Sequence, residues 1–223
     1  GRADISWGGP MRVMLHHERD PKCPLVAFGQ IVARDPFILI GREPNINFQF
    51  KELHGKRLAI AYEVPTPWMT FQDDLKRAGV DPDSLEIAPN APMHTNPARF
   101  INGEIDVAQV LEPYASAAVA AGHAHIWHRF ASRGDIGYTS FYTTRQYMEK
   151  HPQTCATLIA GIEPALLAMA NEPALEIASE LAELFPDVPH PVLTNAIAGY
   201  QASGLWAKNT DLPPTAFVRL KGA

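Results

Sequence analysis

Two stretches of this chain repeat the same order of residue types. The first runs Gly1-Arg2-Ala3-Asp4-Ile5-Ser6-Trp7-Gly8-Gly9-Pro10, and the second runs Gly103-Glu104-Ile105-Asp106-Val107-Ala108 on to Leu111-Glu112-Pro113. In each copy a glycine can end one element in a left-handed turn, an apolar run makes a strand, and a proline fits the first turn of a helix. A duplicated glycine-strand-proline unit predicts two similar α/β lobes, although so short a match also fits a generic turn-strand-turn. In the second copy the lobe opens near Gly55-Lys56-Arg57-Leu58-Ala59-Ile60, so a strand, a helix and a further strand come before the motif. The first copy has no such lead-in, which predicts an incomplete N-terminal lobe lacking about half of the usual domain length.

Composition narrows the classes of partner. The 223 residues are 46% hydrophobic and 19% charged, enough apolar material for one large core or two small ones. Nineteen basic residues stand against twenty-four acidic ones, for a net charge of −5. No basic block interrupts the chain, so nucleic acid is not an indicated partner and a small molecule is. Cys23 and Cys155 are far apart and form no Cys-x-x-Cys pair, so no metal cofactor or disulfide framework is read from them. One bridge between them stays open in an oxidising compartment.

Strand and helix patterns alternate. Residues 25–32 and 37–40 read as strands, candidates for the crossing between lobes, and residues 57–62, 85–88, 106–111, 125–130 and 138–143 read as further strands. Helices are predicted over 67–78 and 97–102, closed by Gly79 and Gly103, over the Ala-rich 113–121, and over 144–150, 152–170, 174–184 and 191–203. The alternation predicts an α/β architecture with mainly parallel sheets. Residues 1–36 with 144–223 are assigned to the first lobe, and 37–143 to the second.

Helix starts carry the functional expectation. Gly9-Pro10, Thr66-Pro67, Asn96-Pro97 and Glu112-Pro113 each set a proline where a first helical residue belongs. Each follows a predicted strand, and ligand crevices of open α/β sheets lie beyond the carboxyl ends of strands. Unpaired N–H groups there favour an anion or a polar head group, although each start taken singly also fits ordinary capping. Glutamate is not a preferred cap, so Glu112 is a candidate acceptor for an amino or amidine group of a ligand; a solvated carboxylate at a helix start is the alternative. Trp7, Tyr62, Trp68, Tyr114 and Tyr138 gather in the same loops and could sandwich a planar ligand, or simply pack. No arginine stands at a predicted strand end of the second lobe, so a buried inorganic anion would rely on backbone donors.

Other chemistries find less support. His123 and His125 share a face if they sit on a strand, but no third ligand accompanies them at metal-site spacing, and no metal site is predicted. Gly-x-Ser-x-Gly is absent, and Trp7-Gly8-Gly9 lacks the residues of a phosphate loop.

The run Leu53-His54-Gly55-Lys56-Arg57-Leu58-Ala59-Ile60, the second repeat copy with Glu112-Pro113-Tyr114, and Tyr147-Met148-Glu149-Lys150-His151-Pro152 resemble the solute-binding proteins of ABC importers for nitrate, sulfonate, taurine and thiamine-pyrimidine precursors. The resemblance covers the chain to about Ser203. It implies a type II periplasmic-binding fold of two lobes joined by two crossing segments, with a ligand captured between them. Carried over by position, Trp7, Gly8, Gly9, the loop from Glu63 through Thr66 to Trp68, and Glu112 would line the cleft. The family's small Gly/Ser-rich loop is here Val64-Pro65-Thr66-Pro67-Trp68, whose rigid prolines and indole fit a planar or partly apolar solute better than nitrate.

The resulting expectation is a monomeric, non-enzymatic binding protein of the periplasm or the outer membrane face. It would hold a small organic solute, an N-heterocycle, aromatic acid or sulfonate, without a cofactor, and deliver it to the membrane permease of an ABC transporter. Thiamine-pyrimidine synthases, on a similar scaffold, and ligand-sensing domains are the alternatives. The synthases' cysteine-rich segment has no counterpart here.

Overall fold

The computed structural model describes residues 3–222. Gly1 and Arg2, which open the first repeat copy, lie outside the described residues. In chain order the elements are β1 (Ile5–Gly8), α1 (Pro10–Arg19), β2 (Leu25–Val32), β3 (Ile38–Gly41), β4 (Leu58–Ala59), α2 (Pro65–Arg77), α3 (Asn96–Ile101), β5 (Val107–Val110), α4 (Tyr114–Ala120), β6 (His125–Arg129), β7 (Thr139–Thr144), α5 (Arg145–Lys150), α6 (Pro152–Asn171), α7 (Ala174–Leu181), α8 (His190–Ala202) and α9 (Val218–Gly222).

The chain divides into two compact units. Unit 1 holds the stretch that ends at Asp35, Arg133–Pro173 and Gly204–Gly222; unit 2 holds Pro36–Ser132 and Ala174–Ser203. These bounds differ from the sequence assignment by one residue at Pro36, which falls in unit 2, and in two larger places. Residues 133–143 fall in unit 1 because β7 is the central strand between β1 and β2. Helices α7 and α8 fall in unit 2, where α7 packs on α8 and α8 packs on α4.

Within unit 1 the strand order is β1-β7-β2, with β7 antiparallel to both neighbours. Unit 2 has the order β4-β5-β3-β6; β4 and β5 are parallel, and β3 is antiparallel to β5 and β6. The expectation of mainly parallel sheets is therefore corrected. Strands joined by a crossover helix do run parallel, β1 with β2 and β5 with β6, as such connections require. A strand from a distant part of the chain is inserted antiparallel between each pair, and that insertion cannot be read from local alternation. The predicted strand at 85–88 is reduced to a single bridge between Leu58 and Ile87.

The two repeat copies take matching places. β1 and β5 each lie beside the inserted strand of their own sheet, and each is followed by a helix, α1 or α4. β5 also carries β4 on its outer side, whereas among the described residues no strand pairs with the outer side of β1.

Each unit closes its own core. In unit 1, Leu158, Ile159, Ile162 and Leu166 of α6 pack with Phe141, Phe28, Ile31 and Ile5 of the sheet. Among the described residues α6 is the one helix long and apolar enough to cross a membrane by length and composition; its inward row covers the sheet here. The buried ion pair Asp35–Arg133 and the Arg34–Asp135 pair at 2.8 Å tie residues 34–35 to 133–135. Cys155 is buried, Cys23 is half-buried, and both are free thiols. Unit 2 buries Ile38, Ile40, Ala59, Phe100, Ile105, Ala108 and Val110 on one face of its sheet.

Candidate functional site

Because β4 and β5 run parallel, their carboxyl ends lie side by side, and the loops that follow them leave the same edge of the unit 2 sheet. β6 ends at this edge too, since β3 pairs antiparallel with both β5 and β6 and Ile38 faces both Val110 and Arg129. Three loops thus share one edge: the loop from Ala61 into α2, the segment 111–114, and the end of β6.

The first loop is tied down by one side chain that sequence reasoning missed. The β4 ladder stops at Ala59, yet Gln109 of β5, fully buried, reaches across from the next position. Its Oε1 accepts the Ala61 N–H at 3.0 Å, and its Nε2 donates to the Pro67 carbonyl at 3.3 Å. A buried polar group among apolar neighbours has to find partners in this way. The available signal was the glutamine itself, standing in the otherwise apolar run Val107-Ala108-Gln109-Val110. A second tie comes from Glu63, whose Oε1 accepts the Met93 N–H at 2.7 Å.

Helix α2 begins two residues earlier than predicted. Val64 is the residue before it and Pro65 its first residue, with Pro67 inside the first turn. Both prolines lack N–H groups, so the start of α2 offers few backbone donors. Thr66 is buried, Tyr62 is 41% exposed, and Trp68 is half-buried with its ring edge-on to Phe71, 5.6 Å between centroids.

Glu112 differs from its expected role. Its side chain is only 2% exposed. Oε2 accepts the Ser116 N–H at 2.9 Å, in the first turn of α4, and Oε1 lies 3.7 Å from Nη1 of Arg129. The carboxylate therefore caps a helix from two residues ahead of it, within a peptide pair Glu112–Pro113 that is cis. Pro113 precedes α4, rather than opening it as the sequence predicts. Arg129, the last residue of β6, also corrects the reading that no arginine stands at a strand end. Its charge is directed at Glu112. Tyr200 of α8 adds a further bond, accepting the Glu112 N–H at 3.0 Å and donating to the Pro36 carbonyl at 3.2 Å.

Tyr114 turns to the other face of the sheet. It packs against the Ala108–Val110 cluster and lines a cavity of about 270 Å³ with Pro97, Phe100, Ile101 and His123. Alternation along β5 sets Ala108 and Val110 opposite to Gln109. Tyr114 is thus separated from the Gln109–Pro67 contact. Asn96 and Pro97 are the first two residues of the short α3.

Unit 1, taken by itself, has a smaller edge. Trp7, 57% exposed, stands opposite Phe141 with ring centroids 5.7 Å apart, and Gly8 stands opposite Ser140. Gly9 is extended and precedes α1, with Pro10 as its first residue, as the sequence predicts. Tyr138 is 6% exposed and sits just before β7, so it packs in the interior of unit 1 rather than at a surface. His123 lies in the turn before β6 and His125 opens that strand; among the described residues no group of three His, Cys, Asp or Glu is gathered for a metal.

Comparison with known proteins fits this arrangement. A family model described as NMT1/THI5 like matches residues 1–175. The chain is 24% identical over 201 residues to the putative binding protein YtlA of Bacillus subtilis, covering 89% of this chain and 60% of that relative's length. The periplasmic aliphatic sulphonate binding protein SsuA of Escherichia coli has a similar structure, with a TM-score of 0.77 at 18% identity, over 100% of this chain and 73% of that one. The desulfurization enzyme DSZB is similar at a TM-score of 0.59 and 15% identity, over 98% of this chain and 77% of that one. At such identities the likeness is one of fold, the two-lobe type II periplasmic-binding plan, which hosts both binding proteins and an enzyme. On the match to more than three quarters of its length, this chain belongs to the NMT1/THI5-like family.

Proposed function

We propose that this chain is the extracytoplasmic solute-binding component of an ABC importer, and that its solute is a small organic molecule: a sulfonate, an N-heterocycle or an aromatic acid. One observation carries the reading. The carboxyl-end edge of unit 2 holds an aromatic-bearing loop, Tyr62 to Trp68, fixed by buried polar bonds from Gln109 and Glu63. A loop whose position is set before the ligand arrives loses little ordering entropy on binding. Exposed Tyr62 and half-buried Trp68 offer broad, weakly polar contact area, which favours planar or partly apolar solutes.

Membership of the NMT1/THI5-like family and the likeness of fold to the sulphonate-binding SsuA support the same class. In this reading Glu112 acts from beneath, holding segment 111–114 and neutralising Arg129. On unit 1, taken by itself, Trp7, Gly8 and Gly9 are the proposed contacts. The protein works as a monomer in the periplasm or at the outer membrane face, and a membrane permease is its partner. The likeness to DSZB favours a second reading, an enzyme on the same scaffold.

Calorimetric titration with ethanesulfonate, a 4-aminopyrimidine and benzoate, followed by mass analysis of the recovered ligand, separates the two. Saturable binding of one compound, recovered unchanged, is the expected result. Binding of none of them, or recovery of a converted product, overturns the proposal.

A further inference from the structure

We infer that Gln109 is the positioning residue of the recognition edge, a single amide that closes the Tyr62–Thr66 loop at both of its ends. This inference rests on the solute-binding reading only for its consequence, not for its geometry.

The geometry is specific. β4 leaves β5 after Ala59, so the backbone ladder supplies no further partner to the chain beyond it. Gln109 substitutes for that ladder. Its carbonyl oxygen takes the N–H of Ala61, the residue before the loop, and its NH₂ gives a hydrogen to the carbonyl of Pro67, the residue after it. The two loop ends are therefore held by two atoms of one planar group, whose separation is covalently fixed. The clip spans five residues, the turn 62–64 and the first two residues of α2, and so fixes how α2 leaves the sheet by removing freedom that the ends of this segment would otherwise have.

The chemistry also restricts which side chain can serve. Ala61 offers only a donor here and Pro67 only an acceptor, so the clip must accept and donate at once. Among residues of this length and shape, an amide does both at any pH. A carboxylate accepts but cannot donate, and a protonated carboxyl group does both. Leucine and methionine do neither. No titratable side chain takes part in either bond of the native clip, so the clip itself does not depend on protonation.

Gln109→Glu turns this into a test. Hydrogen-exchange protection factors for Ala61 to Val64, Thr66 and Trp68, the amide-bearing residues of this stretch, corrected for intrinsic rates, are measured at pH 5 and pH 8 for the native chain, Gln109→Glu and Gln109→Leu. The native chain is expected to give the same protection at both. Gln109→Glu is expected to match it at pH 5 and to lose roughly tenfold at pH 8, as the loss of one buried hydrogen bond implies. Gln109→Leu, which makes neither bond, is expected to lose at least as large a factor at both, with protection at residues 56–58 and 104–107 unchanged. A merely structural role would lower protection throughout unit 2 with no dependence on pH. That pattern, or an unchanged loop in Gln109→Glu at pH 8, overturns the inference, and this variant decides the matter alone if Gln109→Leu does not fold.

Ethanesulfonate and 4-aminopyrimidine titrations on the same samples keep the two claims apart. If the loop loosens as described and neither probe binds even the native chain, the positioning role stands and the solute-binding reading falls. If a probe binds the native chain and Gln109→Glu weakens it several-fold at pH 8 only, both stand.

Discussion

The two ends of the unit 2 sheet are tied together by different chemistry. At the amino end, where β4 and β5 begin, the bonds are ionic and wet. Asp106 accepts the Arg57 N–H at 2.9 Å and grips its guanidinium through contacts at 2.9 and 2.7 Å, with side chains 40% and 30% exposed for Arg57 and Asp106. The Arg57 guanidinium, hydrogen-bonded to it, holds the Asp106 carboxyl down at about 2 against an ordinary 3.8. Arg42 reaches the Phe100 and Ile105 carbonyls nearby. At the carboxyl end the ties rest on buried groups: the neutral amide of Gln109, and the Glu112 carboxylate, 2% exposed, which lies 3.7 Å from the partly exposed Arg129. Water can take over from a lost partner more readily at the first end than at the second. Bonds that water cannot replace fix loops more firmly, which is what a recognition edge needs.

Substitutions should separate the two ends by size of effect. The largest belongs to Arg129→Met, which leaves the Glu112 carboxylate buried without its counter-ion; about 3 kcal/mol of unfolding free energy should be lost in urea titration. Gln109→Leu should follow at about 2 kcal/mol, since the Ala61 N–H and the Pro67 carbonyl lose a buried partner. Asp106→Asn, at the wet end, should cost about 1 kcal/mol or less once solvent screening is allowed for. If Asp106→Asn proved the most damaging of the three, the contrast between the ends would fail.

Acid sharpens the same contrast. Because the folded-state value of Asp106 is depressed, its contribution is fully present above about pH 4 and is lost as the pH falls from there to about 2. Urea midpoints measured across that window should decline more steeply in the native chain than in Asp106→Asn. Tyr62→Ala should have the smallest effect on stability, within about 0.5 kcal/mol, because the ring is largely solvated. The same change should weaken an organic solute roughly tenfold in calorimetry, if the ring is a binding contact.

Much of the fold was legible from local signals. Gly103 ends α3 at a positive φ of 73°, and the apolar run after it is β5; Pro10 opens α1 as its position in the repeat implies. Sheet direction was not legible, because the inserted strands β3 and β7 arrive from distant parts of the chain. At the site, sequence order pointed to the stretch from Tyr62 to Trp68 through its prolines and indole, and the structure sets that stretch at the carboxyl-end edge of unit 2. The bond from Glu112 to Ser116 was not legible, because capping from ahead of a helix depends on how segment 111–114 bends, nor was the packing of Tyr114 on the face opposite to Gln109. Sequence order passed over Gln109 and Arg129, whose partners lie 42 or more residues away for Pro67 and across the sheet for Glu112. Such polar groups announce themselves only by interrupting an apolar strand or closing it.

The most direct test of the account is hydrogen exchange of the whole chain with and without a solute that titration has shown to bind. The account predicts added protection at residues 61–68 and 111–116, with residues 56–58 and 104–107 unchanged. Protection confined to the amino end of the unit 2 sheet, or spread evenly over it, would contradict the assignment of the carboxyl end as the recognition edge.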